Sequence, residues 1–293
     1  MDSSSHCAEL AASERFKFGE NWARFLSVLD EERILQAEAS LRRILGVETL
    51  NGRRFLDVGS GSGLFSLAAR RLGAGVLSVD YDSESVSCTR ELQRRYFAGD
   101  IEWTVEAGSV LDKAYLDSLG EYDIVYSWGV LHQTGEMWRA LANVAPLVAH
   151  AGLLFVAMYN DQGGASRRWW HIKRIYNRLP RSFRPLFTAA VMIPRELLFL
   201  VVQLFRGHPQ AYFKNIANYA QTSQRGLNYW RDIVDWVGGF PFEVAKPEQV
   251  FRFYRDRGFG LSELTTMTGG VGCNEFVFVL QACPEANDCR RPS

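Results

Sequence analysis

The chain has 293 residues, 33 basic and 33 acidic side chains, 47% hydrophobic residues and 13% aromatics. That composition supplies a core and excludes disordered, collagenous and disulfide-stapled classes. The zero formal charge hides an asymmetry: from Ala165 to Arg206 nine basic residues stand against Glu196 alone, a segment at +8 in a chain whose remainder is at −8, so that segment attracts anions. Five scattered cysteines (Cys7, Cys88, Cys273, Cys283 and Cys289) form neither a disulfide rhythm nor a CxxC pair. They predict a reducing, cytoplasmic setting, and the N-terminal residues show no secretory pattern.

In chain order, two helical patterns come first, over residues 14 to 45. Phe16, Trp22, Phe25, Leu26 and Leu29 mark one; Ile34, Leu35, Leu41, Ile44 and Leu45 mark the other, which opens on Asp30-Glu31-Glu32 and stops at Gly46. The period then changes. Arg54 to Val58 reads as a buried strand, Leu64 to Leu72 as a helix ending at Gly73, and Gly75 to Asp80 as the next strand, with Ser83 capping a helix towards Tyr96. Strands are predicted at Glu102 to Val105, Tyr122 to Trp128 and Leu153 to Tyr159, with helices near Leu111 to Leu119 and Met137 to Val148. Strand alternating with helix at this spacing predicts an α/β fold, a parallel sheet covered on both faces.

The alternation stops at Asn160 and resumes with a helix over Pro247 to Arg257, which has proline at its first position. Leu261 to Met267 and Glu275 to Gln281 then read as an antiparallel edge hairpin. The roughly 85 residues between are too long for a connection and form a helical insertion. The expected domains are thus 1–50, an N-terminal helical extension; 51–160 with 245–283, the sheet domain; 161–244, a helical cap; and 284–293, a frayed tail. Pro185 to Phe205 is apolar except for Arg195 and Glu196. Charges at its centre argue against a membrane span. It reads either as a buried helix pair of the cap or as a surface-lying, membrane-touching hairpin with basic flanks.

The strongest chemical signal is Leu56-Asp57-Val58-Gly59-Ser60-Gly61-Ser62-Gly63-Leu64 at a strand-to-helix junction, with Asp80 ending the following strand 21 residues after Gly59. Glycines there bring backbone N–H groups and a helix N-terminus against a ligand, and the acid is placed to accept both hydroxyls of a ribose. The third glycine arrives one residue early for the dinucleotide pattern. This GxGxG form resembles class I S-adenosylmethionine-dependent methyltransferases, closest in look to small-molecule enzymes of the ubiquinone-biosynthesis O-methyltransferase type. The resemblance runs well over residues 52 to 160 and loosely over 245 to 281.

It implies a Rossmann-like, doubly wound, mostly parallel seven-stranded sheet and S-adenosylmethionine as cofactor. The cofactor residues it implies are Asp57, Gly59, Ser60, Gly61 and Gly63 in the loop; Asp80 on ribose and Tyr81 on adenine; Ser109 and Val110 along the adenine edge; and Trp128 after the fourth strand. Ser109 stands where the family often has an acid.

In-line transfer of a methyl group requires a nucleophile held about 3 Å from the carbon with water excluded. His132, just after the fourth strand, is the candidate general base, or a residue that only shapes the pocket. Tyr159 and Asn160 end the fifth strand at the same edge and are candidate substrate residues. Arg167 and Arg168 could fork onto a carboxylate or phosphate, or lie on a solvated helix face. Trp236 to Phe242, with Gly238 and Gly239, reads as a lid or a packed turn. Cys273 is placed for chemistry but has nothing to activate it, and no ligand spacing predicts a metal.

The expected function is therefore methyl transfer to oxygen or sulfur of a small or peptide-borne acceptor, anionic if the arginines serve it, with peripheral membrane contact through 165–206 and no nucleic-acid partner favoured. The alternatives are an RNA-modifying enzyme, transfer of a carboxylated methyl group and a non-catalytic cofactor-binding protein.

Overall fold

A computed structural model of the chain describes residues 25–27, 29–208, 210, 214, 229–267 and 272–281. The first helical pattern up to residue 24, the tail from Pro284, and Cys7, Cys283 and Cys289 lie outside the described residues.

The first complete helix, α1 (Glu31–Leu45), is written at both ends. The Asp30 carboxylate accepts from the Arg33 N–H at 2.9 Å, acids fill the first turn and arginines the last, and Gly46 ends it at φ 65°. Then β1 (Arg54–Val58), α2 (Leu64–Arg71), β2 (Gly75–Asp80), α3 (Ser83–Tyr96), β3 (Trp103–Ala107), α4 (Lys113–Leu119), β4 (Tyr122–Trp128), α5 (Met137–Val144) and β5 (Val148–Tyr159) follow in strict alternation. The cap of α3 is Asp82, one residue before the expected Ser83, its carboxylate accepting from the Glu84 N–H. The helices α6 (Gly164–Arg178), α7 (Arg184–Phe205) and α8 (Tyr229–Gly238) leave the sheet before α9 (Pro247–Arg255), β6 (Phe259–Thr265) and β7 (Cys273–Leu280) close it.

The seven strands lie in the order β3-β2-β1-β4-β5-β7-β6. The first five are parallel, and β7 runs antiparallel to both β5 and β6. Strand order reverses between β1 and β4, and ligands of open parallel sheets bind at the carboxyl end of such a switch point. One face is covered by α1, α2 and α3 through Ile34, Leu41, Leu67 and Leu92 against Phe55, Val76 and Phe155. The other carries α4, α5 and α9 through Leu116, Leu141 and Tyr254 against Leu56, Val125 and Leu154. Both faces of the central strands are therefore apolar, which is why they read as continuous hydrophobic runs.

Two expectations change. β5 begins at Val148, five residues before Leu153: Tyr122 pairs with Val148 and Ile124 with Leu153, so a bulge absorbs Ala149 to Gly152, with Ala151 at φ 57°. The apolar run after Pro185 is one continuous helix, and its buried residues are only Thr188, Met192 and Glu196, so it is not a buried helix pair. Pro194 lies inside this helix at an exposed position, and Ala190, whose carbonyl loses the Pro194 N–H, is exposed as well.

Phe155 lies at the centre of the sheet with no exposed surface, its ring stacked 4.6 Å from Tyr126. Phe155→Ala is expected to lower stability by about 3–5 kcal/mol, read from urea unfolding, because little around it can collapse into the void.

Candidate functional site

The site is built on the turn from β1 into α2. The Gly59 and Ser60 N–H groups both donate to the Val79 carbonyl, at 2.7 and 3.2 Å. Gly59 has φ +83°, and a Cβ on it would fall 2.4 Å from a Val130 methyl; one on Gly63, at φ +79°, would fall 2.9 Å from Thr89. Side chains are excluded from this loop by conformation and by contact.

Beneath the loop, Asp57 is buried and held by a relay of donors. The Ser66 hydroxyl donates to Asp57 Oδ2 at 2.6 Å, Ser78 to Ser66 at 2.7 Å, and the Trp103 indole N–H to Ser78 at 2.9 Å. Burial nevertheless pushes the Asp57 carboxyl up to about 7, against the pull of Ser66 and with a small further push from Asp80. Asp80 accepts from the Gly61 N–H through Oδ2 and from the Asp82 N–H through Oδ1, both at 2.9 Å, and burial raises its carboxyl also. The loop and the acid of the next strand are thus one hydrogen-bonded unit.

A cavity of about 680 Å³ opens over this unit, a size that suits a cofactor with a small molecule beside it. Asp57, Gly59, Ser60, Gly61, Asp80, Tyr81, Ser109, Val110 and Trp128 line it. Gly63 does not; it precedes α2 and packs against Thr89. Beyond the loop the wall turns aromatic: Phe25 from the N-terminal side, Phe65 of α2, Tyr126 and Trp128 of β4, and Phe240 from the loop after α8. Trp128 is held by its indole N–H, which donates to Glu275 of β7 at 3.0 Å. The Tyr126 hydroxyl is buried without a hydrogen-bond partner among the described residues. Burial first, then Asp57 and Glu275, holds it far above the usual phenol range, so it stays a neutral donor in the cavity wall. The cavity's charges are Asp57, Asp80, Asp82 and Glu84, and no lysine, arginine or histidine lines it among the described residues. An acidic, partly enclosed site of this kind favours a cationic ligand. A glycine cradle, a ribose-directed acid and an acidic pocket fit a nucleoside sulfonium.

The remaining candidates fall elsewhere. His132 is fully buried and outside the cavity wall, which its neighbours Gln133 and Thr134 form instead. Its ring lies 4.2 Å from that of Tyr159, which packs in turn against Trp236 and Phe242. Asn160 accepts from the Asn274 side-chain amide at 3.1 Å and pairs with Ala245, fastening the start of the insertion to its end. Arg167 and Arg168 are exposed on α6 and away from the cavity, so the expected anion fork is not part of this site.

Sequence reasoning missed the contributions of Phe25, Phe65, Tyr126, Gln133 and Thr134 to the wall; Phe240 comes from the Trp236 to Phe242 segment that read as a lid or a packed turn. It also missed Glu243, whose carboxylate accepts from the Gly135 and Met137 N–H groups while its own N–H donates to the His132 carbonyl at 3.0 Å. That residue clamps the loop carrying Phe240 to the turn after β4. Among the described residues no group of histidine, cysteine and acidic side chains gathers to hold a metal.

Residues 29–191, more than half of the chain, match the family model of a methyltransferase domain. Over 113 residues the chain is 30% identical to a ubiquinone biosynthesis O-methyltransferase of Sinorhizobium fredii, covering 39% of this chain and 44% of that protein. The protein of the same name from Brucella melitensis is 26% identical over 111 residues, covering 38% and 43%. The chain thus matches less than half the length of these relatives. Among solved structures, a magnesium protoporphyrin IX methyltransferase from Synechocystis with bound SAM superposes at a TM-score of 0.53 and 12% identity, covering 94% of this chain and 96% of that one; this likeness is one of fold. The chain belongs to the methyltransferase-domain family.

The buried Asp57 makes stability depend on pH in a predictable direction. Its folded carboxyl titrates at about 7, well above an unfolded aspartate at about 3.9, so the folded chain holds the extra proton between those values and stability falls as pH rises through them. The cofactor-free wild type is expected to lose more thermal stability between about pH 5 and pH 8 than Asp57→Asn, whose amide keeps an oxygen for Ser66 and does not ionise. Parallel melting curves for the two would refute this.

Proposed function

We propose that this chain transfers a methyl group from S-adenosylmethionine to an oxygen of a small, uncharged, ring-bearing acceptor. The observation that carries the reading is the two-part cavity, an acidic nucleoside seat running into an aromatic wall that no cationic side chain joins among the described residues. The O-methyltransferase relatives supply the oxygen; the aromatic wall supports a planar acceptor, and the lack of a cation among the described lining residues argues against a carboxylate or phosphate on it. For the same reason a carboxylated cofactor has nothing to pair with here.

The chain's own residues divide the work. The loop from Gly59 to Gly61 presents backbone N–H groups, and Asp80 and Tyr81 take the ribose and adenine. Asp57, with its donors behind it, anchors the loop from below. When bound, S-adenosylmethionine would supply an electrophilic methyl on a sulfonium, its S–C bond breaking as the acceptor oxygen takes the carbon in line and the acceptor's proton leaves to solvent. The acidic lining favours the cation over a neutral product at that sulfur. Phe25, Phe65, Trp128 and Phe240 exclude water and align a flat acceptor, while Gln133 and Thr134 offer it hydrogen bonds.

The acceptor reading is tested by following S-adenosylhomocysteine release with phenolic, carboxylate and thiol compounds of one ring size. Turnover confined to the phenols is expected, and Phe240→Ala should raise their KM about tenfold, the loss of one aromatic contact, with cofactor affinity unchanged. Preferential turnover of the carboxylates would overturn it.

The burial of His132 behind Tyr159 supports a positioning role for it, holding Gln133 and Thr134 in the wall. His132→Ala is then expected to raise acceptor KM several-fold while cofactor affinity and the acid limb of the kcat profile stay as they are. A drop of tenfold or more in kcat, with that limb lost, would make His132 the general base instead.

A further inference from the structure

Helix α7 is amphipathic in the wrong direction for a soluble protein. Its inward positions are Thr188, Met192 and Glu196, four residues apart, and Glu196 accepts from the Tyr229 hydroxyl of α8 at 2.6 Å. The helix turns its only acid and a hydroxyl towards the protein. Facing out, Leu186, Ala190, Ile193, Leu197, Val201 and Leu204 recur at spacings of four, three, four, four and three, one continuous stripe along the helix, and every member is exposed. Leu186 and Leu204 have 70% and 53% of their surfaces free, and Phe205 at the end has 89%. A helix of 22 residues is about 33 Å long, so this is an apolar ridge far larger than the scattered hydrophobics of an ordinary surface.

Basic residues stand at both ends of the ridge, with Arg178 and Arg181 exposed before it and Arg206 after it, inside a segment at +8. We propose that α7 docks this chain on an anionic lipid bilayer, lying in the plane of the headgroups with the stripe in the acyl boundary and the arginines on the phosphates. Spanning is ruled out by the buried face: Glu196 stays bonded to α8, so lipid cannot surround the helix, and Arg195 beside it is exposed at mid-length. A second copy of this chain is the poorer occupant, because pairing the two ridges would bring two segments of +8 together with no exposed acid between 165 and 206 to relieve them. A bilayer supplies the apolar phase and the countercharge together. The inference does not depend on the acceptor.

The test is flotation of the full chain with vesicles of phosphatidylcholine alone and with roughly one third phosphatidylglycerol. The wild type is expected to float with the anionic vesicles and to be released as salt rises. Leu197→Asp with Leu204→Asp, both at exposed positions, should reduce binding at least tenfold without shifting the melting temperature. Arg181→Glu with Arg206→Glu should reduce anionic binding to the phosphatidylcholine level. Wild-type protein that stays unbound to anionic vesicles, or variants that float as well as wild type, would overturn the proposal. So would a dimer in sedimentation velocity that Leu197→Asp abolishes while no vesicle is bound, which would give the ridge to a second copy.

Discussion

A carboxylate buried beneath a glycine loop is unfavourable unless hydrogen-bond donors reach it, because desolvating the charge costs more than any single contact returns. Here the donors arrive in series, from the Trp103 indole through Ser78 and Ser66 to Asp57. The four residues belong to β3, β2, α2 and β1. The two strands and the helix that flank the glycine loop, with β3 beside them, are therefore tied together by this relay. If α2 slid along the sheet, Ser66 would leave Asp57, and the turn that opens α2 would lose its anchor. The relay explains how a loop rich in glycine, which is entropically costly to fix, holds one shape.

The same row of the sheet continues to the other side. Asp57 lies opposite Tyr126 in register, Tyr126 opposite Phe155, and Phe155 opposite Val277. Polarity thus falls from the nucleoside side to the centre of the sheet, and the Tyr126 hydroxyl marks the boundary between the acids and the apolar core. One step nearer the carboxyl edge, Trp128 spans two strands to reach Glu275. The antiparallel edge hairpin is accordingly part of the site's support, since β7 fixes the indole that walls the cavity.

What could be read from the sequence was what neighbouring residues determine. β1, β2 and β4 fall where their apolar runs predict, and the loop from Gly59 to Gly61 with Asp80 was legible because both belong to one strand-turn-strand unit. The start of β5 was not, because a bulge hides inside a stretch, Ala149 to Gly152, that locally looks like a turn. Phe25 was not legible either, and Phe240 only as part of a segment that could be a lid or a packed turn. They meet at one cavity from positions 215 residues apart, and no local pattern distinguishes a phenylalanine that closes a pocket from one that fills a core. Glu243 is the clearest case: exposed-looking in sequence, it is the clamp between two segments over 100 residues apart. His132 sat in the right segment but on the wrong side of its own backbone, a distinction of one residue that position along a strand cannot make.

Placing α7 raises a question of solvent rather than of fold. Apolar residues at helical spacing normally mark the side that faces the protein, and a reading by periodicity alone assigns the burial to them. In α7 the assignment is reversed: the stripe faces outward, and the protein is held by a hydroxyl, a methionine and an acid. Such a helix is stable in water only while something else covers it or while the cost of exposure is offset by its cap contacts, here Met192 with Tyr176, Ile233 and Val237. Leu186, Ile193 and Leu197 are each half exposed or more, so a purely aqueous surface would favour polar residues at these positions. Their joint presence on one face, with arginines at the ends and the only acid of the helix turned inward, is the arrangement that a phase of low polarity bounded by phosphates would impose.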